Sequence, residues 1–563
     1  MRIAIAALLS LLTAGAALAT ITSSAITGRV RAGDGAAEGV TVTVTSAALQ
    51  HERTATTTAH GWYWIGALPP GTYDVTFARK GMQTLTRRAI VELGRTARAD
   101  ATLEASEDEE SVTSTVTTVA VAETTAITTH FSDAELDRLP YRRSGAAIEL
   151  TPVAFTSGAV VDDAPLQFPL LGDEVLEQVT AVRGALPAET EGFAIGYETQ
   201  KTRSGSEEFS LSLRDSWTDS RLGGGHLYET ASGGRIVPGK LWFFAGGWSG
   251  DSIEYYDASG VVLKLTGQLG SAHNVIGEYV VNHAYSTQDP ARDPYRFGGD
   301  WPALRYTGVL TERLTVEAVA MHFTEGMFGT PQNIGEGKVS YRAGEQVFSA
   351  GGGKQLYGPK YFFFGDRLSW RGLTLDAGAR HEDDHFYPRA AMTWDFRGDG
   401  RQAFFASYGE YWELYHGMGP PVTRDASVGY ATAIGNSGSA RIDYLRRASG
   451  SDRFDQIELD TRYRLFDRFE AGASYTHLTA SPFSTRDSGD AWIGAQLPVG
   501  SHELGATVIE HYLFQRLWTT DLAVRYAIPF SRFGLTLAAE ATDLFEEVPF
   551  PGRGVRLWAR LRV

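Results

Sequence analysis

Residues 554–563, Gly-Val-Arg-Leu-Trp-Ala-Arg-Leu-Arg-Val, close the chain and decide how the rest of it is read. In an extended strand Val555, Leu557, Ala559, Leu561 and Val563 share one face, and Gly554, Arg556, Trp558, Arg560 and Arg562 share the other. The same alternation recurs upstream. Phe533, Leu535, Leu537, Ala539 and Ala541 oppose Gly534, Thr536, Ala538, Glu540 and Thr542. Ile457, Leu459, Thr461, Tyr463 and Leu465 oppose Glu458, Asp460, Arg462 and Arg464. Charge at this frequency on the second face fits a hydrated lumen, with the apolar face against lipid. An open sheet edge finds no hydrogen bonds in lipid, so such a sheet must close. Some 18 to 20 strands are recognisable after Ser206. At ~9–11 residues per spanning strand, residues 206–563 hold roughly 22 strands of an antiparallel transmembrane β-barrel. Aromatic runs at Trp242-Phe243-Phe244, Tyr361–Phe364 and Tyr411-Trp412 are expected to form interfacial girdles. A barrel this wide leaks unless its lumen is filled.

Composition narrows the function classes. The 563 residues include no cysteine, which removes disulfides, thiolate metal sites and cysteine nucleophiles. A formal net charge of -16 without a concentrated basic tract argues against nucleic acid as a partner. Residues 1–19 carry Arg2, an apolar run through Leu12 and a small-residue end at Ala17-Leu18-Ala19, the pattern of a secretory signal peptide. Beyond them no apolar run approaches the ~20 residues of a spanning helix. An exported chain that spans a membrane with strands is expected.

Three regions precede the barrel. In residues 26–104, Val40–Val44 and Tyr73–Phe77 alternate strictly, and turn signals at Gly33-Asp34-Gly35, His60-Gly61 and Pro69-Pro70-Gly71 separate seven or so strands of a small β-sandwich. The run from Gly61 through Val75 resembles the signature of the carboxypeptidase-regulatory-like domain, which implies a rigid module and no peptidase chemistry. Residues 105–131 read as a linker, with an acidic run at Glu107–Glu110 and then a Thr/Val-rich stretch. Residues 132–205 read as a compact α/β plug-like segment. It opens on a capping box at Ser132-Asp133-Ala134-Glu135 whose helix stops before Pro140, continues with a second helix over Ser144–Leu150, and ends in strands over Glu177–Arg183 and Ile195–Arg203. The fold class is therefore mainly β: an N-terminal β-sandwich, a small α/β plug and a large antiparallel barrel.

The order of these parts resembles a TonB-dependent receptor of the Oar-like type. Residues 131–153 (FSDAELDRLPYRRSGAAIELTPV) are similar to the family's plug opening, and residues 170–209 to its plug end. Residues 375–396, 404–413 and 541–563 are similar to family barrel segments, the last through Leu544-Phe545 and Gly552-Arg553. The resemblance implies an outer-membrane monomer whose N-terminal sandwich lies in the periplasm. It also implies uptake of a solute that the sequence does not name, using inner-membrane energy through a TonB-type complex. That complex captures a short extended box by strand addition, in which backbone hydrogen bonds supply the affinity. Glu110, Ser111, Val112 and Thr113 are the best match to such a box, and Val119-Ala120-Val121 is the second choice. The plug-like segment is short for the family. A barrel that no longer transports, serving as surface anchor, adhesion or assembly element, is the alternative.

No catalytic, cofactor or metal constellation is expected. His381-Glu382-Asp383-Asp384-His385 spells the zinc-hydrolase motif H-E-x-x-H, which works only where a helix puts both histidines on one face. Its flanks alternate as strands, so it reads as a hairpin connection. Gly351-Gly352-Gly353-Lys354 lacks the spaced glycine and the Lys-Ser/Thr end of a phosphate loop. The chain is not expected to be an enzyme.

Overall fold

The computed structural model describes residues 24–563 except 106–113, 116–126, 140–158, 167–170, 184–187, 189–196, 287–295, 326–330, 355–359, 413–421, 482–485, 514–516, 543–553 and some shorter connections. The segment expected as a signal peptide and the helix expected over Ser144–Leu150 lie outside the described residues.

The first body is a sandwich of short strands: β1 (Ser24–Ala32), β2 (Gly35–Ala36), β3 (Thr41–Thr45), β4 (Arg53–Thr56), β5 (Trp62–Leu68), β6 (Gly71–Ala78), β7 (Leu85–Val91), β8 (Thr96–Arg98) and β9 (Ala101–Leu103). One sheet runs β2-β1-β5 with β8 and β9 parallel to β1; the other runs β7-β6-β3-β4. Inward residues of both sheets, among them Ile26, Val42, Val44, Tyr63, Tyr73, Val75 and Phe77, form one core. Tyr63 donates its hydroxyl to the Ala99 carbonyl at 2.6 Å, which satisfies the one polar atom that its burial brings inside. The expected seven strands become nine because β2, β8 and β9 are too short to show alternation.

From β16 (Ser210–Thr218) to β37 (Gly554–Arg562), 22 consecutive antiparallel strands pair each with the next, and β37 pairs back onto β16. The barrel is closed. The seam aligns Leu213 with Leu561 and Trp217 with Leu557 on the outer face, and Arg214 with Arg560 on the inner. Outward side chains such as Leu557, Leu459, Ile457 and Leu537 stay exposed, whereas Glu458, Glu540, Arg556 and Arg560 on the opposite face are buried. An exposed apolar band around a whole barrel is a lipid-facing surface. Among the described residues no helix is long and apolar enough to cross a membrane.

The two barrel ends differ in their connections. The end that holds Val563 and the entry to β16 carries tight turns such as 238–240, 312–313 and 344–345. At the far end several connections are equally short (254–255, 383–384, 450–451), and none exceeds 543–553. Trp370, Trp394, Phe396 and Phe404 lie exposed near the first end, and Phe362, Phe386 and Trp518 near the far end, as interfacial rings do. The aromatic runs are only partly girdle. Trp242, Phe244, Tyr361, Phe363 and Tyr411 are buried on the lumen face, because consecutive residues of a strand point to opposite sides.

The H-E-x-x-H residues lie on a far-end hairpin, with Glu382 opposite His385 and a positive φ of 62° at Asp384. His381 stacks on Phe362 and meets Phe386 edge to face, so the helical metal geometry does not form.

A second sheet lies inside the barrel. It comprises β11 (Ile127–Ser132), β12 (Ala159–Val161), β13 (Ala164–Leu166), β14 (Leu176–Arg183) and β15 (Tyr197–Thr202) in the order β11-β14-β15-β12-β13. Helix α1 (Asp133–Leu136) follows β11, and a 3-10 turn at Asp173–Val175 precedes β14. Gly205 carries the chain from plug to wall, where a Cβ would collide with the Phe243 carbonyl oxygen, so only glycine fits. The sandwich touches the same barrel. Its strand β5 contacts β21 (Arg296–Thr311) and β22 (Leu314–Glu325), near the end where the chain enters. Burial lowers the Arg53 guanidinium below its usual range, and the charges of Tyr73 and Glu317 oppose that shift.

Candidate functional site: the plug against the lumen wall

The plug meets two chemically distinct walls. Toward β17 (Gly225–Val237) through β25 (Lys360–Trp370) it shares a dry core. Phe131, Leu136, Val161, Leu171, Val175, Leu176 and Val179 pack with Phe244, Trp248, Val262, Trp301, Met321, Phe323, Ile334 and Tyr361. Gly172 and Gly246 let the chains approach. A Cβ at Gly172 would lie 2.9 Å from the Trp248 side chain, and one at Gly246 would lie 2.5 Å from a Val175 methyl. An apolar half-lumen was not expected from the sequence, which reads the inner face as uniformly hydrated.

The seam and the opposite wall hold the plug with charge. Both guanidinium nitrogens of Arg560 donate to the two carboxylate oxygens of Asp137 at 2.7 Å. Arg214 stands 3.0 Å from Asp173 and stacks over Trp558 at 4.3 Å. Trp558 donates to Glu540 at 2.6 Å, and Arg556 reaches the same carboxylate at 2.5 Å. Ser212 donates to Glu174 at 2.5 Å, and the Asp173 amide donates to Glu229. Arg138 pairs with Glu470 at 2.5 Å. On the lumen face of the terminal strand, Arg560 thus latches the plug while Arg556 and Trp558 bond Glu540 of the neighbouring wall strand.

One cation is set within the apolar wall itself. Lys264 on β19 (Tyr256–Leu269) lies 2.9 Å from Asp162 of the plug and 3.3 Å from Glu278 of the wall, and it donates to the Thr202 carbonyl at 3.1 Å. Burial alone would raise the Asp162 carboxyl. Lys264, Arg305 and the Thr202 hydroxyl instead hold it below its ordinary value. Glu198, on the central plug strand, has no such cation. Burial pushes it up to about 8, and the Gln200 amide, donating at 2.5 Å, offsets this only in part.

Between α1 and the strands β31 (Asp452–Leu465) through β35 (Leu517–Pro529) the plug leaves an open-sided cleft. No sequence signal marks it, since its residues come together only when the barrel closes.

Glu110, Ser111, Val112 and Thr113, like Val119-Ala120-Val121, lie outside the described residues. Immediately after the first candidate, β10 (Ser114–Thr115) pairs in parallel with Leu85 and Thr86 on the edge strand β7 of the sandwich. Farther along, β11 pairs with β14 of the plug over Ile127–Ser132. Among the described residues no group of three or more His, Asp or Glu side chains is placed to hold a metal ion.

Comparison with known proteins respects the same division. Residues 25–104 match the carboxypeptidase regulatory-like domain family. The chain is 28% identical over 261 residues to the TonB-dependent transporter Oar of Myxococcus xanthus, covering 37% of this chain and 24% of the relative. The match thus spans about a quarter of that relative's length. Among solved structures it is similar to the siderophore receptor PirA from Pseudomonas aeruginosa, with a TM-score of 0.63 and 13% identity over 77% of this chain and 99% of that one. It is also similar to BauA, the ferric preacinetobactin receptor from Acinetobacter baumannii, with a TM-score of 0.60 and 11% identity over 78% and 97%. A third is the FrpB iron transporter from Neisseria meningitidis, with a TM-score of 0.59 and 11% identity over 78% and 99%. The chain thus joins a domain of the carboxypeptidase regulatory-like family to a closed 22-strand barrel with the fold of these solved structures, and part of it is similar in sequence to the TonB-dependent transporter Oar.

Proposed function

We propose that this chain is an outer-membrane, TonB-dependent receptor that takes up a solute using inner-membrane energy, its sandwich in the periplasm. The observation that carries this reading is a folded plug held across a closed barrel by ion pairs on one wall, foremost the bidentate Arg560–Asp137 contact. Such contacts hold a plug at rest yet separate into water without exposing apolar surface. The partner would capture residues Glu110–Thr113 by strand addition and draw the plug from the end where the chain enters. A siderophore-type solute is in keeping with the names of the structural relatives.

Strand addition depends on backbone donors, so proline is the sharp test. Val112→Pro and deletion of residues 107–123 should each abolish capture of a purified TonB-type periplasmic domain by the full chain, with the barrel still folded. Val112→Ala should change capture little. Undiminished capture by both disrupted chains overturns the energy-coupled reading.

A non-transporting barrel is the second reading, favoured by the short far-end connections. It predicts that the same deletion leaves every phenotype of the chain intact.

A further inference from the structure

The cleft between α1 and β31–β35 presents the guanidinium of Arg525 beside an apolar surface. Arg525 lines it half-buried and forms no hydrogen bond or ion pair among the described residues. Each carboxylate nearby is already engaged. Asp137 is held by Arg560, and Glu540 by Arg556 and Trp558. Glu470 is shared by Arg138 and Arg464, and Asp490 by His511 and Ser474. Arg138 and Arg560 act on Arg525 with like charge, against the attraction of Asp137 and Glu540, neither of which bonds to it. A half-buried guanidinium without a bonded carboxylate keeps its donors available to an anion that enters the cleft. Beside it the cleft presents Phe131, Leu139 and Trp492, a surface for an apolar body, and Gly494 leaves the floor open.

We propose that this cleft binds a small organic anion, its carboxylate or equivalent group on Arg525 and its apolar body against Phe131, Leu139 and Trp492. The fork of Arg525 presents two parallel N–H donors to such a group, as guanidinium–carboxylate pairs do. One wall of the site is the plug helix itself, beside the Asp137–Arg560 and Arg138–Glu470 contacts. Occupancy is thereby placed where plug displacement would first be felt. The site stands on its own geometry and does not depend on the transport reading.

The test uses the full chain in neutral detergent with 2-naphthoate as probe, read by calorimetry and by Trp fluorescence. Wild type should bind one equivalent saturably, and neutral 2-naphthol at least about tenfold more weakly, the factor expected for one charge-assisted hydrogen bond. Arg525→Gln should weaken naphthoate binding by about tenfold or more. Arg525→Lys should retain part of it, and Gly494→Leu should remove it by filling the floor while Arg525 stays in place. Equal binding by wild type and Arg525→Gln, equal binding of naphthol, or no saturable naphthoate binding at millimolar concentration overturns the proposal. Because no TonB-type partner is present, each of these results is separable from failure of the transport reading, which the proline and deletion variants test.

Discussion

The two walls that face the plug do the same work with opposite chemistry. Along β17–β25 the contact is chiefly a hydrophobic core, in which Trp301 and Phe323 are fully buried with ring centroids 5.7 Å apart and the Lys264–Asp162 pair is embedded. Along the seam and β31–β35 it is ion pairs beside an open cleft. A dry contact costs free energy in proportion to the apolar area exposed on opening. A charged contact is costly to lose one-sidedly, yet nearly neutral when both partners regain water together. The plug is therefore held mainly by dry packing on one wall and mainly by ion pairs on the other.

This contrast is breakable. Trp301→Ala should have the largest effect, about 3–5 kcal/mol of destabilisation in urea unfolding from lipid vesicles, from lost transfer energy plus the cavity. If the cost falls near that of a surface change, the dry wall is misassigned. Next is Arg560→Met, expected to cost about 3 kcal/mol because it strands Asp137. Combining it with Asp137→Leu should restore most of that loss, and a double-mutant cycle reads the difference.

Glu198 sharpens the comparison through pH. Its folded pKa of about 8 exceeds that of an unfolded glutamate, so the folded state holds the extra proton. Plug stability should then be greatest below the unfolded value and fall as pH rises from about 4.5 to about 8, levelling beyond. Glu198→Gln should flatten that slope and stabilise the plug by about 2 kcal/mol at pH 8, measured by urea melts across pH. A slope that persists in the variant assigns it to another group.

The smallest effect concerns the outside. Asp366 on β25 pairs in register with Phe348 and Ala377 on the lipid face, and its Oδ1 is buried without a hydrogen-bond partner. Asp366→Leu should stabilise the barrel by about 1 kcal/mol, since a carboxylate on that face gains nothing from lipid. A loss of stability would place a polar partner there.

How much of this was legible in the chain depends on the information that alternation encodes. Arg556, Arg560 and Arg562 against Val555 and Leu561 disclosed strand, closure and inner face together, since a period of two needs no tertiary information. The apolar wall was hidden because Trp242-Phe243-Phe244 and Tyr361–Phe364 are apolar on both faces, and a two-sided apolar strand carries no alternation to read. The cleft was hidden for another reason. Arg525 looks in sequence like Arg462 or Arg464; that it lacks a partner depends on how Asp137, Glu470 and Glu540 are occupied by others. The candidate box at Glu110–Thr113 carries no side-chain signature to read, because strand addition selects backbone rather than side chains.

The linker carries a mechanical consequence. Two residues, Ser114 and Thr115, fasten it to the sandwich, and six, Ile127–Ser132, fasten it to the plug. Tension applied at residues 110–113 meets the weaker fastening first and unzips it at small force. The eleven residues 116–126 can span at most about 35–40 Å, which bounds how far β10 can be drawn from β11 before load reaches the plug.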